Sequence, residues 1–177
     1  MRAVPASATS AEADCPPRKR APALRLLEVP QQHTLALTRE VLGRIALARD
    51  DVAEAEAQAR ELEAVAHRTK SARHEAIAQF LYGGAAMRAG NLDRARDLLQ
   101  AALATDAELG LEREAVDALY SLALLAARTG DTARAARLAA AAEAERSRLG
   151  CVALRSTLNG LEAARASSLE RGTEDGM

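Results

Sequence analysis

The chain of 177 residues contains no tryptophan, one phenylalanine and two tyrosines, although 49% of its residues are hydrophobic. A core so poor in aromatics has to be built from Ala, Leu and Val. Small side chains of that kind suit closely packed helices, whereas a sheet draws on β-branched and aromatic residues. Cysteine is nearly as scarce. Cys15 and Cys151 stand far apart in unlike contexts, which fits neither a disulfide framework nor a paired-cysteine metal site. No apolar run approaches the roughly 20 residues that span a bilayer. The segment Met1-Arg2-Ala3-Val4-Pro5 lacks the unbroken apolar stretch of a secretory signal, so a cytoplasmic location is expected. An excess of charge of either sign is also missing. With 24 basic and 25 acidic residues the formal charge is −1, so no global field draws the chain to nucleic acid or to an anionic membrane. Of the basic residues 22 are arginine, which beside so much alanine is read as the mark of a GC-rich coding sequence.

Proline is absent from most of the chain. All five prolines (Pro5, Pro16, Pro17, Pro22, Pro30) fall in the first thirty residues. With Ser7, Thr9 and Ser10 they describe a disordered or extended leader over 1–32. Its triplet Arg18-Lys19-Arg20 is read as solvated charge. The segment Ala23-Leu24-Arg25-Leu26-Leu27 is either a helical turn docked on the first helix or the remnant of a preceding repeat. A disordered tail is expected over 171–177.

What the chain does have is regularity. Gly90, Gly110, Gly130 and Gly150 recur every twenty residues, and the sequence overlays on itself at a shift of forty. Asp50-Asp51-Val52, Gly90-Asn91-Leu92 and Gly130-Asp131-Thr132 then coincide at a turn, and Ala55, Ala95 and Ala135 follow in register. Leu42-Gly43, Tyr82-Gly83 and Leu122-Ala123 coincide before the turn. Small residues at Gly43, Gly83 and Ala123, facing the three alanines, let two antiparallel helices approach closely. The turn glycines reach the left-handed conformation that ends a helix at little cost. Asn91 and Asp131 are suited to N-caps, and Asp51 with Glu54 makes a box-like start. The spacing predicts seven helices, at 33–49, 52–68, 71–88, 92–108, 112–129, 132–148 and 152–170. Three repeats, 33–70, 71–110 and 111–150, and a capping helix at 151–170 fill the domain 33–170. The fold class expected is all-α, with helical hairpins stacked as an array.

The stretches Leu81-Tyr82-Gly83-Gly84-Ala85-Ala86-Met87-Arg88-Ala89-Gly90-Asn91-Leu92-Asp93-Arg94-Ala95 and Leu122-Ala123-Leu124-Leu125-Ala126-Ala127-Arg128-Thr129-Gly130-Asp131 resemble the tetratricopeptide repeat. The resemblance implies a right-handed superhelical solenoid that binds a protein or peptide in a concave groove. It departs from the family in its period of forty, against a usual 34, and in lacking the family's tryptophan and repeat-ending proline. The long period, with Glu108-Leu109-Gly110 and Gly130-Asp131-Thr132-Ala133-Arg134-Ala135-Ala136-Arg137-Leu138, resembles the repeat arm of bacterial LuxR-type and MalT-like signal-transduction ATPases. The alternative function is therefore a detached or truncated ligand-sensing arm. Neither a G-x-x-x-x-G-K-[ST] loop nor a C-terminal helix-turn-helix pattern is present, so ATPase and DNA-binding activity do not carry over.

Residues for chemistry are few. His67 and His74 lie seven apart, where a metal pair on one helix wants three or four. Cys151 follows a helix-ending glycine, but its equivalent one repeat earlier is Leu111, which favours a buried apolar role over a reactive thiolate. No nucleophile–base arrangement appears, and the acids follow solvated helix faces. No enzyme activity, metal or cofactor is expected. In stacked hairpins the first helix of each pair lines the groove. Its expected lining is Leu37, Glu40, Arg44 and Leu47, then Ile77, Phe80, Gly84, Met87 and Arg88, then Asp117, Tyr120, Leu124 and Arg128. Phe80 and Tyr120 form one ladder and Arg88 and Arg128 another. Such a lining suits a peptide with apolar and acidic side chains. Self-association through an exposed repeat end is expected as well.

Overall fold

The computed structural model describes residues 17–150, with side chains from 31 onward. These residues form six α-helices and no strand: α1 (Pro17–Ala48), α2 (Val52–Thr69), α3 (Ala72–Arg88), α4 (Leu92–Leu109), α5 (Glu112–Arg128) and α6 (Thr132–Leu149). Each helix packs on the next in the chain. In addition α1 touches α3 and α3 touches α5, so the first helices of the three hairpins share a face. None of the described helices is long and apolar enough to cross a membrane. The expected capping helix, the tail, Cys15 and Cys151 lie outside the described residues.

The twenty-residue ruler is a property of the backbone. Left-handed φ values occur at Asp50, Lys70, Gly90, Gly110, Gly130 and Gly150. Lys70 stands where the spacing would set a glycine, and its φ of 52° and ψ of 41° keep the turn. Each second helix opens on the expected cap. Asp51, Asn91 and Asp131 accept hydrogen bonds from the backbone N–H of Glu54, Arg94 and Arg134. Those bonds satisfy donors that the first helical turn leaves unpaired.

α1 departs most from expectation. It starts at Pro17 rather than His33 and runs for 32 residues, through the segment expected as leader and through the segment 23–27. Proline suits the first turn, where its missing N–H costs nothing. Further along, at Pro22 and Pro30, it forfeits a helical bond at a cost of about 3 kcal/mol. That is a penalty on the helix and not a veto.

The glycines on the helices make room for leucines. A Cβ on Gly43 would lie 2.5 Å from Leu81 Cδ1, one on Gly83 2.8 Å from Leu99 Cγ, and one on Gly84 2.8 Å from Leu47 Cδ1. Leu81 and Leu99 are fully buried. The core is thus a run of leucine knobs seated over glycine and alanine, including Ala55, Ala59, Ala95 and Ala123. It divides into successive clusters along the array, and Phe80 packs against two of them.

The face shared by the first helices

On the face common to α1, α3 and α5, charged side chains meet over an aromatic ring. The guanidinium of Arg44 on α1 lies 5.0 Å from the ring centroid of Phe80 on α3, a cation–π distance. Its Nε donates to Glu40 Oε1 at 3.1 Å, and its Nη1 donates to Asp117 Oδ2 of α5 at 2.7 Å. One side chain therefore ties the first hairpin to the third across the second. Burial works against the charge on Arg44, but Asp117 and Glu40 more than offset it, and the pKa rises.

A second tie lies toward the helix N-termini. Arg73 Nη2 and Nε on α3 donate to Glu114 Oε1 on α5 at 2.7 and 3.2 Å. Burial alone would raise the Glu114 pKa, but the Arg73 bonds hold it below the ordinary glutamate value. Beside this pair lies Asp106 of α4, a buried residue whose Oδ1 has no hydrogen-bond partner. Burial, reinforced by the charge of Glu114, pushes its carboxyl up to about 6. His74, also buried, stands 5.9 Å from the His33 ring. Burial, then the charges of Arg73 and His33, lower its pKa.

The C-terminal end of the face is basic. Arg88 Nε donates to Asp50 Oδ1 at 3.0 Å and its Nη1 to the Gly84 carbonyl at 3.1 Å. Arg128 Nη1 donates to the Met87 carbonyl at 3.1 Å. The two arginines are close enough to repel. Burial lowers the Arg88 pKa first, Asp50 offsets part of that, and Arg128 adds to the lowering.

Glu40, Arg44, Phe80, Arg88 and Arg128 thus belong to one face, with Leu124 half-buried and packed on the neighbouring cluster. Others of the expected lining do not. Tyr120 is 3% exposed and donates to Glu143 Oε2 of α6 at 2.7 Å; it turns into its own hairpin and forms no ladder with Phe80. The cause lies forty residues apart on the second helices. α4 fills that space with Leu99 and Leu103, whereas α6 has Ala139 and Glu143. Met87, Ile77, Gly84 and Leu47 are buried in the core, and Leu37 is exposed. Asp106 was missed because acids were assigned to solvated faces. Helical spacing carries the signal: Ala95, Leu99, Ala102 and Asp106 form the buried stripe of α4.

Among the described residues no group of three or more His, Cys, Asp or Glu side chains could hold a metal ion. Comparison with protein-family models, curated proteins and solved structures found no match.

Proposed function

We propose that the chain is a tetratricopeptide-like scaffold whose stacked hairpins form a right-handed superhelix, with the α1–α3–α5 face as the concave side that receives a protein or peptide. The observation that carries this reading is the packing of α1 on α3 and of α3 on α5, with the Arg44–Asp117 ion pair linking α1 to α5. A face fixed by its own ion pairs is ordered before a partner arrives, which lowers the entropic cost of binding. Its parts suggest the partner's chemistry. Phe80 and Leu124 offer apolar contact, and Arg88 and Arg128 offer paired donors for an acidic side chain. Arg44 serves as an internal clamp, because two carboxylates already satisfy it.

The forty-residue period, kept by the backbone from Asp50 to Gly150, favours one variant of this reading, in which the scaffold is a regulatory arm serving an ATPase regulator. Neither form gives the chain catalysis of its own, and neither requires a cofactor.

A photo-crosslinking residue at position 124 tests the proposal. It is expected to capture a partner in the native host that the same residue at the exposed Ala101 of α4 does not capture. Equal capture at both positions would count against the face.

A further inference from the structure

We propose that the outward side of α1 is a self-pairing surface through which two copies of the chain associate, antiparallel and centred on Val41. From Thr34 to Ala48 the polarity of this helix is inverted. Its charged residues Arg39, Glu40 and Arg44 are half-buried and bonded to Gln58, Asp117 and each other. The residues left exposed are Thr34, Leu37, Thr38, Val41, Leu42, Ile45 and Ala48, all uncharged. The Thr38 hydroxyl donates to the Thr34 carbonyl at 2.9 Å, so its polar atom is satisfied within the helix. A contiguous apolar patch of this kind marks an interaction site.

The repeat shows what such positions are for. Forty residues on, Leu37, Val41 and Ile45 become Ile77, Leu81 and Ala85. Val41 is 54% exposed and Leu81 0%, because Leu81 inserts over Gly43 of the preceding hairpin. Ile77 and Ala85 are buried in the same cluster. The side of α1 is therefore an interhelix contact surface that lacks its neighbour among the described residues.

Two observations select a second copy as the occupant. An uncharged apolar stripe is complementary to another such stripe. Apart from these four on α1, the one large exposed hydrophobic among the described residues is Leu109, at the end of α4. The pattern that meets this requirement is α1 itself, and a patch that pairs with itself across a two-fold axis closes as a dimer. The second observation is spacing. Thr34, Thr38, Val41, Ile45 and Ala48 alternate in steps of four and three, the seam of a two-helix coil. Antiparallel pairing about Val41 sets Leu37 against the partner's Ile45 and aligns the helix dipoles favourably.

The test uses the full chain with Cys15→Ser and Cys151→Ser. Sedimentation equilibrium is expected to show a dimer. Val41→Lys, a change at a solvent-exposed position that leaves the melting temperature of the monomer unaltered, is expected to weaken it at least about a hundredfold. A single Val41→Cys is expected to form a disulfide-linked dimer on oxidation. Leu37→Cys is expected to form none, because antiparallel pairing sets the two Leu37 positions about 12 Å apart along the axis, beyond disulfide reach. A dimer unaffected by Val41→Lys, or one that crosslinks through position 37 and not 41, overturns the proposal. So does a monomer. If residue 41 is then protected from thiol reagents, the face belongs to another segment of the same chain; if it reacts freely, the face belongs to a different protein.

Discussion

Lys70→Gly should stabilise the protein, because the backbone at position 70 is already that of a glycine turn. Lys70 ends α2 with φ 52° and ψ 41°, and its N–H donates to the Ala66 carbonyl. Gly110 and Gly150 end α4 and α6 in the same conformation. A left-handed residue with a Cβ costs about 1–2 kcal/mol. Against this, glycine adds freedom to the unfolded chain, worth about 0.4–1 kcal/mol. Among the described residues no hydrogen bond or ion pair of the exposed Lys70 side chain offsets either quantity. The expected net gain is about 0.5–1 kcal/mol, or a rise in melting temperature of roughly 2–4 °C for a domain of this size. The reverse change, Gly110→Ala, meets no atom within 4 Å of the added Cβ, so its expected loss of about 1 kcal/mol comes from φ alone. Thermal denaturation followed by circular dichroism measures both. A destabilised Lys70→Gly, or a neutral Gly110→Ala, would refute the reasoning that the twenty-residue spacing works through left-handed helix ends.

Arg44→Met, which keeps contact with Phe80 but strands Glu40 and Asp117, is expected to cost about 2 kcal/mol. A double-mutant cycle with Asp117→Asn should return about 1 kcal/mol of coupling by urea denaturation, and zero coupling would remove the tie between first and third hairpins. Asp106 predicts a pH dependence. An aspartate normally near 3.8 that is pushed up to about 6 on folding holds its proton more tightly in the native state. Its contribution is complete below about pH 4 and is lost as pH rises through about 6, a gap of two pH units worth about 3 kcal/mol at most. Asp106→Asn should flatten that part of the stability profile and raise stability at neutral pH; an unchanged profile would contradict the burial. Gly83→Val should cost about 2–3 kcal/mol by overpacking Leu99 and Leu98, and a variant as stable as the parent would mean that α3 and α4 lie further apart than described.

Much of this architecture was legible in the residues, for reasons that differ from place to place. Helix ends were readable because Asp51, Asn91, Asp131 and the glycines act through local backbone chemistry. Inward-facing positions such as Ala55, Leu62, Ala95 and Leu99 were readable because burial follows helical period. Orientation within the shared face was less so. Phe80 and Tyr120 occupy equivalent positions, yet the side chains across from them differ, Leu103 against Glu143, and that difference sends Tyr120 into α6. Helical spacing sets Arg44 one turn from Glu40, but its role as a clamp depends on Asp117, 73 residues away, a pairing no local pattern encodes. The extent of α1 escaped because proline penalises a helix without forbidding it. Its inverted polarity was hidden for a related reason: a charged residue in sequence carries no sign of whether a distant partner will draw it inward.

Isothermal titration of a captured partner against the parent chain and the double variant Phe80→Ala/Arg128→Ala tests the shared face most directly. Both positions lie on that face and neither supplies a helix cap, so circular dichroism can verify that the fold is retained. Losing an aromatic contact and a charge-assisted donor together should weaken binding by about 2–3 kcal/mol, from roughly 30-fold to roughly 150-fold. An affinity equal to that of the parent chain would place the partner elsewhere and contradict the function proposed for the α1–α3–α5 face.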